Sequence, residues 1–178
     1  ADPANMEEMG RCMKLLREFH SSGLQVNHRF DIEERIRFYE NLCLEHGSIP
    51  FHDYDQVSEW MGELLKLIKE RKRPEVLAHI DSVADNFLFL PDGTIRLIDW
   101  EYSGMCDPLI DVAMCAIYSY YSLDQGLDLL KLYLEREPSR EELLIFYAYM
   151  GLGGFLWALW AVYKANLGQE FGEYTIIM

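Results

Sequence analysis

The chain has 178 residues, of which 50% are apolar and 13% aromatic, enough for one domain with a substantial core. That composition excludes a disordered or low-complexity chain. The formal net charge of −14 disfavours nucleic acid and anionic membrane surfaces as partners, and it leaves open plain solubility or the attraction of a small cation.

No membrane-directing segment is predicted. We find no apolar run of about 20 residues, so we expect no membrane span. Residues 1–20 interleave charged with apolar side chains, unlike the uncharged core of a signal peptide. We therefore predict a cytoplasmic protein. Because the chain begins with Ala1 and not with methionine, we expect a processed or truncated piece of a longer protein.

The four cysteines are predicted to be structural. None lies in a CxxC pair, and the five histidines show no zinc-ligand spacing with them. Cys12, Cys43 and Cys115 stand in apolar surroundings, so we expect small core residues in a reducing compartment.

The first part of the chain is predicted to be helical, because apolar side chains recur there at helical spacing. Asn5 can cap the first helix and Gly23 can end it, while Asp31 with Glu34 resembles a capping box for the second. Pro74 stops the third. The predicted helices cover residues 5–22, 31–46 and 53–72.

A basic run closes the third predicted helix. It consists of Lys69, Arg71, Lys72 and Arg73. Cations at a helix C-terminus interact favourably with the helix dipole, so we interpret the run as a helix end. A phosphate-binding role is the alternative.

Short strands follow, and then further helices. Residues 87–90 and 94–98 are apolar runs joined by Pro91-Asp92-Gly93, a turn signal that predicts a β-hairpin. Helical periodicity returns after Pro108, and Leu167-Gly168 breaks the last helix. The later helices are predicted over residues 110–121, 124–135 and 139–165, with a further segment from Glu170.

The most informative motif lies just before the hairpin. Residues 79–86 read H-x-D-x-x-x-x-N, and Asp99 follows the hairpin, which is the spacing of a kinase catalytic loop and its metal-binding aspartate. Asp81 could receive the proton of an attacking hydroxyl, and Asn86 with Asp99 could hold Mg²⁺. Alternatively, His79 and Asp81 only cap a tight turn, and Asp99 only ends a strand.

Two further motifs support the first. Residues 99–102 read D-W-E-Y, and residues 107–113 read D-P-x-x-D-V-A. The stretch from His79 to Asp111 resembles the aminoglycoside phosphotransferase and choline kinase superfamily, whose fold is protein-kinase-like. The resemblance implies an α+β, mostly α fold: a protein-kinase-like C-terminal lobe in which a small β-hairpin carries the catalytic loop.

The resemblance also implies site roles. Asp81 would be the catalytic base, braced from the next helix by Asp111, and His79 would orient the backbone of the loop. Asn86 and Asp99 would bind Mg²⁺, which makes them the cofactor-binding residues. Glu101 would act near a second metal or near the substrate ammonium.

Within that superfamily the sequence is similar to the choline/ethanolamine kinases, especially the bacterial choline kinases. Glu101 follows Asp99 by two positions, and Trp157 lies three residues before Trp160. An E-F-G stretch and Tyr174 come later. Aromatic faces recognise quaternary ammonium through cation–π attraction, and residues three apart share a helix face.

More aromatic side chains could wall such a cage. Tyr118 and Tyr121 follow Asp111 by one helix turn or more, and the family pattern adds Tyr174. The alternative is that all these aromatics are core residues, as stripes at helical spacing usually are.

The resemblance predicts ATP-dependent phosphorylation of a small cationic alcohol, most simply choline, with Mg²⁺ as cofactor. Residues 1–178 would form a single C-terminal lobe, since no Gly-rich loop or paired strand lysine of a nucleotide lobe is present. We expect this chain alone to be inactive. The alternatives are an ethanolamine or aminoglycoside kinase and a non-catalytic, kinase-like binding domain. The oligomeric state is not predicted.

Overall fold

A computed structural model of the chain describes residues 1–169. The described chain is mostly helical with two small antiparallel sheets, which confirms the predicted α+β class. Its elements are α1 (Met6–His20), α2 (Ile32–His46), α3 (Tyr54–Lys69), β1 (Val76–Ala78), β2 (Phe87–Phe89), β3 (Ile95–Leu97), β4 (Gly104–Cys106), α4 (Leu109–Tyr118), α5 (Leu123–Leu134) and α6 (Arg140–Asn166).

The chain divides into two compact units. The first unit contains Ala1–Phe30 and Lys72–Met150, and the second contains Asp31–Arg71 with the described residues from Gly151 onward. The sequence motif of residues 79–113 therefore lies wholly in the first unit. A single kinase-like lobe over residues 1–178 stays a prediction.

Helices α1, α4 and α5 form the core of the first unit. Helix α1 packs against α5, and α5 packs against α4. Every residue from Leu109 to Ala116 is buried, as expected of a helix that is apolar on all sides. Asn5 caps α1 as predicted, because its side chain accepts hydrogen bonds from the backbone N–H groups of Glu7 and Glu8.

The hairpin predicted from the sequence is present as β2 and β3. The two strands pair antiparallel, with Phe87 opposite Leu97 and Phe89 opposite Ile95. Gly93 closes the turn with φ of 84°, a left-handed conformation that glycine adopts without steric cost. The motif residues thus flank the hairpin on its open side.

A second two-stranded sheet was not predicted. Strand β1 pairs antiparallel with β4, and the segment around Arg29 lies alongside β4 at Met105. Gly104 allows this approach, since a Cβ atom there would lie 2.7 Å from the backbone nitrogen of Phe30. Strands β1 and β4 have three residues each, which is too short for an alternation of apolar and polar residues to be recognised in the sequence. The two strands are also far apart in the chain.

The second unit is built from α2, α3 and the later part of α6. Asp31 caps α2 by accepting from the N–H groups of Glu33 and Glu34. The thiol of Cys43 donates to the carbonyl of Leu159 at 3.2 Å. At the end of α3, Arg71 donates to the carbonyl of Leu67 at 2.6 Å, which supports the interpretation of the basic run as a helix end.

Helix α6 corrects one sequence expectation. Residues 143–163 carry no charged side chain, so the expectation that the chain has no apolar run of about 20 residues is wrong. By length and composition this helix could cross a membrane. More than half of its apolar window is buried inside the protein, which is also the property of a core helix.

Smaller differences concern helix ends and cysteines. Helix α4 stops at Tyr118, and not at residue 121, because the chain turns into a left-handed conformation at Tyr120, where φ is 53°. All four cysteines are buried thiols, as expected for Cys12, Cys43 and Cys115.

Candidate active site

The loop between β1 and β2 is fastened by one carboxylate. Asp111, in the first turn of α4, is fully buried. Its Oδ2 atom accepts from the backbone N–H of His79 at 2.8 Å, and its Oδ1 atom accepts from the N–H of Ile80 at 2.6 Å. A buried charge is stable only when it is hydrogen-bonded in this way. The two bonds hold the start of the loop against α4.

The same loop carries local backbone strain. Ile80 has φ of 74°, in the left-handed region, where a β-branched residue is rare. The conformation costs about 1–2 kcal/mol, so it persists only because the surroundings enforce it. Ile80 is fully buried and is held by Asp111, and the next residue is Asp81. The strained turn therefore sets the direction in which the side chain of Asp81 projects from the loop.

Asp81 and Asn86 contact each other across the loop. The Nδ2 group of Asn86 donates to the backbone carbonyl of Asp81 at 2.8 Å and to its Oδ2 atom at 3.1 Å. Asn86 is buried and Asp81 is half-buried. Since Nδ2 faces Asp81, the other amide atom, Oδ1, is the oxygen of Asn86 suited to a cation.

Burial and the neighbouring acidic side chains both act on the pKa of Asp81. Burial raises the pKa of Asp81, and the carboxylates of Asp99 and Glu101 raise it further. The hydrogen bond from Asn86 and the charge of His79 act in the opposite direction but do not cancel the rise. A cation bound next to Asp81 would offset this repulsion.

Asp99 is positioned by the far end of the hairpin. The N–H of Ile98 donates to the carbonyl of Asn86 at 3.1 Å, which ties the two chain segments together. Asp99 follows with φ of 65°, and it is exposed, as is Glu101. The structure therefore brings Asp81, Asn86 and Asp99 to one end of the hairpin.

His79 links the loop to the same segment. Its Nε2 atom lies 2.8 Å from the carbonyl oxygen of Ile98, so Nε2 carries the hydrogen. Its Nδ1 atom is buried and has no hydrogen-bond partner among residues 1–169. The ring of Trp100 stands edge-on to His79 with centroids 4.6 Å apart, and Phe19 packs on Trp100 at 4.8 Å.

Sequence reasoning missed two residues that hold this loop. The hydroxyl of Ser82 donates to the backbone carbonyl of Asp111 at 2.5 Å, and the Nε2 atom of His20 lies 2.9 Å from the Oδ2 atom of Asp111. Ser82 stands inside the H-x-D-x-x-x-x-N motif, where it was passed over. No sequence signal singles out His20, which is one of several residues on the buried face of α1.

Trp157 and Trp160 lie in the second unit. Their rings are edge-on, with centroids 6.0 Å apart, and Trp157 is only 6% exposed. The ammonium of Lys164 lies over two aromatic faces, 5.6 Å from the ring centroid of Trp160 and 5.8 Å from that of Tyr163. The face of Trp160 thus already contacts a cation in this structure.

The remaining residues predicted to wall the aromatic cage are three tyrosines. Tyr118 is half-buried at the end of α4. The Tyr121 hydroxyl donates to the carbonyl of Pro3, and burial raises the pKa of Tyr121. The hydroxyl of Tyr121 is therefore already engaged in a hydrogen bond within the protein. Tyr174 lies outside the described residues. The cage roles of these tyrosines stay predictions.

The donor set is compatible with Mg²⁺. Within residues 1–169, no three His, Cys, Asp or Glu side chains gather closely enough to hold a metal by themselves. Mg²⁺, however, commonly binds proteins through one or two oxygen ligands and takes its remaining ligands from phosphate and water. Asn86 and Asp99 offer oxygen ligands of that kind.

Fold and site together define the class. A strained loop braced by a buried aspartate, followed by a hairpin with an asparagine and an aspartate at its ends, belongs to a protein-kinase-like C-terminal lobe. The family model described as the phosphotransferase enzyme family matches residues 2–145, and the chain belongs to this family. The resemblance drawn from the motifs is thereby confirmed.

Several relatives are similar over nearly the whole chain. Protein LicA of Haemophilus influenzae is 29% identical over 169 residues, which cover 90% of this chain. The crystal structure of choline kinase LicA from Streptococcus pneumoniae has a TM-score of 0.83 and 30% identity over 98% of this chain. A structure of LicA in complex with AMP has a TM-score of 0.84 and 30% identity. The match covers 98% of this chain and 60% of the LicA chain.

The match covers only part of those proteins. The chain spans 62% of the length of the Haemophilus influenzae relative and 62% of the Streptococcus pneumoniae structure.

Proposed function

We propose that this chain is the catalytic lobe of an ATP-dependent phosphotransferase that acts on a small alcohol. The observation that carries the proposal is the contact of Asp81 with Asn86 on a loop fastened by Asp111. Phosphoryl transfer needs a carboxylate near the attacking hydroxyl and oxygen ligands for a metal close by. Membership of the phosphotransferase enzyme family supports the same reaction class.

Asp81 is the proposed base. Its carboxylate would orient the substrate hydroxyl and accept its proton, and its raised pKa makes it a better acceptor than an ordinary aspartate. Asn86 and Asp99 would hold Mg²⁺, with Glu101 at a second metal or near the substrate. When bound, the metal supplies neutralisation of charge on the transferring phosphoryl group. Asp111 and His79 would keep the loop in place.

Choline is the proposed substrate and ATP the proposed phosphoryl donor. The trimethylammonium group has no N–H to donate, so aromatic faces suit it. The ammonium of Lys164 over Trp160 supports the view that this ring attracts cations. The similar LicA of Streptococcus pneumoniae is a choline kinase, and a similar LicA structure contains AMP. A cytoplasmic location is proposed because ATP is available there.

Two alternatives stay open. An ethanolamine or aminoglycoside kinase would use the same loop, but a primary amine would favour carboxylates over aromatic faces. A non-catalytic kinase-like binding domain would have no chemical need for Asp81, Asn86 and Asp99 together. The pair Trp157 and Trp160 favours choline as the substrate. The presence of Asp81, Asn86 and Asp99 together favours an enzyme.

The test is a substrate comparison with the full-length protein that carries this chain. We expect the kcat/KM for choline to exceed those for ethanolamine and an aminoglycoside by about tenfold or more. We expect Trp160→Ala to raise the KM for choline about tenfold, as loss of a cation–π contact of 1–2 kcal/mol would. The matched control is Trp60→Ala, since Trp60 is 59% exposed on α3. A preference for ethanolamine, or equal effects of the two variants, would overturn the choline assignment.

A further inference from the structure

Lys164 lies in the last turn of α6, one helix turn after Trp160. Its ammonium is 5.6 Å from the ring centroid of Trp160 and 5.8 Å from that of Tyr163. Both distances are within the range of about 6 Å over which an aromatic face attracts a cation. Lys164 is also half-buried, whereas a lysine without such a contact usually extends into water. The ammonium therefore has a defined position against these two rings.

Helix geometry accounts for the contact between Lys164 and Trp160. Residues four apart share a helix face, and long side chains on a helix point back towards its N-terminus. The stem of Lys164 therefore runs towards Trp160. A lysine at a helix C-terminus also interacts favourably with the helix dipole, but that interaction needs no contact with an aromatic ring.

The backbone that carries Lys164 is held in place by α2. The Nδ2 group of Asn166 donates to the carbonyl of Cys43 at 3.0 Å, and the ring of Tyr163 contacts that of His46 with centroids 5.6 Å apart. The side chain of Lys164, in contrast, is a flexible four-carbon stem. The ammonium can therefore leave the rings by side-chain rotation, without any movement of the helix.

A cationic ligand that approaches Trp160 meets a ring that a cation already occupies. The face that attracts a trimethylammonium group attracts the ammonium of Lys164 in the same way. Since Lys164 is tethered to the same helix, its effective concentration at the ring is about millimolar or higher. A ligand that binds only after the lysine has left shows an apparent affinity reduced by the fraction of molecules with a free ring, so a fraction of about 10% costs about tenfold.

We propose that Lys164 is an internal competitor for the cation site at Trp160. Its ammonium lies over the ring, and a quaternary ammonium substrate displaces it in order to bind. Lys164 thereby raises the substrate concentration that the site requires and takes no part in the transfer step. The choice of choline as that substrate rests on the proposed function, whereas the contact between Lys164 and Trp160 does not.

The first test is choline binding by the full-length protein that carries this chain, measured by calorimetry without ATP. We expect Lys164→Gln to bind choline about 3–10-fold more tightly than the wild type, because glutamine has no charge to compete for the ring. We expect Lys164→Arg to stay within about twofold, because a guanidinium also binds aromatic faces. In steady-state kinetics Lys164→Gln should lower the KM for choline and leave kcat within about twofold.

The matched control is Lys66→Gln. Lys66 is exposed on α3, and its removal changes the net charge by the same amount as the removal of Lys164. We expect its affinity for choline to equal that of the wild type, since exposed charges are largely screened beyond about 10 Å.

The second test observes the displacement itself by nuclear magnetic resonance of the wild-type lysine side chain. The ε-methylene protons of Lys164 are next to the ammonium, so the currents of the two rings should shift them upfield. We expect saturating choline to return these protons to the position of a solvent-exposed lysine. Tetramethylammonium should do the same, because it has the cation of choline without the hydroxyl.

The outcomes separate this inference from the proposed function. An unchanged or lower choline affinity in Lys164→Gln, an equal gain in Lys66→Gln, or lysine resonances that do not move at saturation would each overturn the inference. If choline displaces Lys164 but the wild type phosphorylates no alcohol, the proposed function fails and the inference stands. If neither the wild type nor Lys164→Gln binds choline or tetramethylammonium, the inference fails, and phosphorylation of another alcohol would leave the catalytic lobe as proposed.

Discussion

The backbone N–H of Ile80 donates to the Oδ1 atom of Asp111 at 2.6 Å, across a separation of 31 residues. The donor belongs to a strained turn and the acceptor to a buried carboxylate, so each stabilises what the other could not maintain alone. The strained backbone keeps a left-handed conformation, and the buried charge gains a donor. Everything proposed for Asp81 depends on this bond.

Asp81→Asn should nearly abolish activity in the full-length protein. The substitution removes the proposed proton acceptor but keeps the size of the side chain and an oxygen that can accept from Asn86. We expect kcat to fall by ~10²–10⁴-fold with little change in KM, measured by steady-state kinetics. Asp85→Asn is the control, because Asp85 is an exposed carboxylate on the same loop. A kcat that barely moves in Asp81→Asn would remove Asp81 from the role of base.

Two glycine substitutions should change stability in opposite directions. In Gly104→Ala the new Cβ would lie 2.7 Å from the backbone nitrogen of Phe30, so the sheet must shift. We expect a loss of ~1–3 kcal/mol in the free energy of unfolding. In Gly62→Ala the Cβ meets nothing within 4 Å, and the site is inside α3. We expect a gain of ~0.5–1 kcal/mol, measured by urea unfolding. Equal effects would contradict the packing at β4.

Glu142 should make stability depend on acid pH. Its hydrogen bond with Arg136 and its contacts with Ser139 lower the pKa of Glu142 from 4.5 to about 2. A lowered folded-state pKa stabilises the fold above the unfolded value, and this stabilisation is lost as the pH falls through the folded value. The wild type should therefore exceed Glu142→Gln in stability at about pH 7 and about pH 5, and the difference should shrink towards about pH 2.

The control for that titration is Glu141→Gln. Glu141 is the exposed neighbour in the same helix turn, so its removal should leave the pH dependence of unfolding close to that of the wild type. A stability difference between the wild type and Glu142→Gln that is independent of pH would show that the Arg136–Glu142 pair does not stabilise α6.

The sequence predicts helix caps and tight turns correctly where a single residue determines the local backbone structure. The caps Asn5 and Asp31 and the turn at Gly93 are confirmed, because each satisfies backbone groups or a backbone angle within a few residues. The capping box of Ser122 with Gln125 was visible in the sequence and was overlooked. The apolar run of α6 was also overlooked, although it is a matter of composition alone.

The parts that sequence reasoning missed are relationships between distant segments. Strand β4 has three residues and acquires its identity from β1 and from the backbone near Phe30. His20 looks like any residue on the buried face of α1 until α4 and α5 pack around it. Such positions carry no local period, so only the packed chain identifies them.

The sequence alone determined the helices, the β2–β3 hairpin, the family and the inventory of chemical groups, because periodicity, caps and motif spacing are local properties of the chain. Only the tertiary structure decided how those groups act on one another. It placed the carboxylate of Asp111 on the amides of His79 and Ile80, turned Ile80 into a left-handed conformation, and brought Asn86 against Asp81. Hydrogen bonds and desolvation act over a few ångströms, and that proximity arises only on folding.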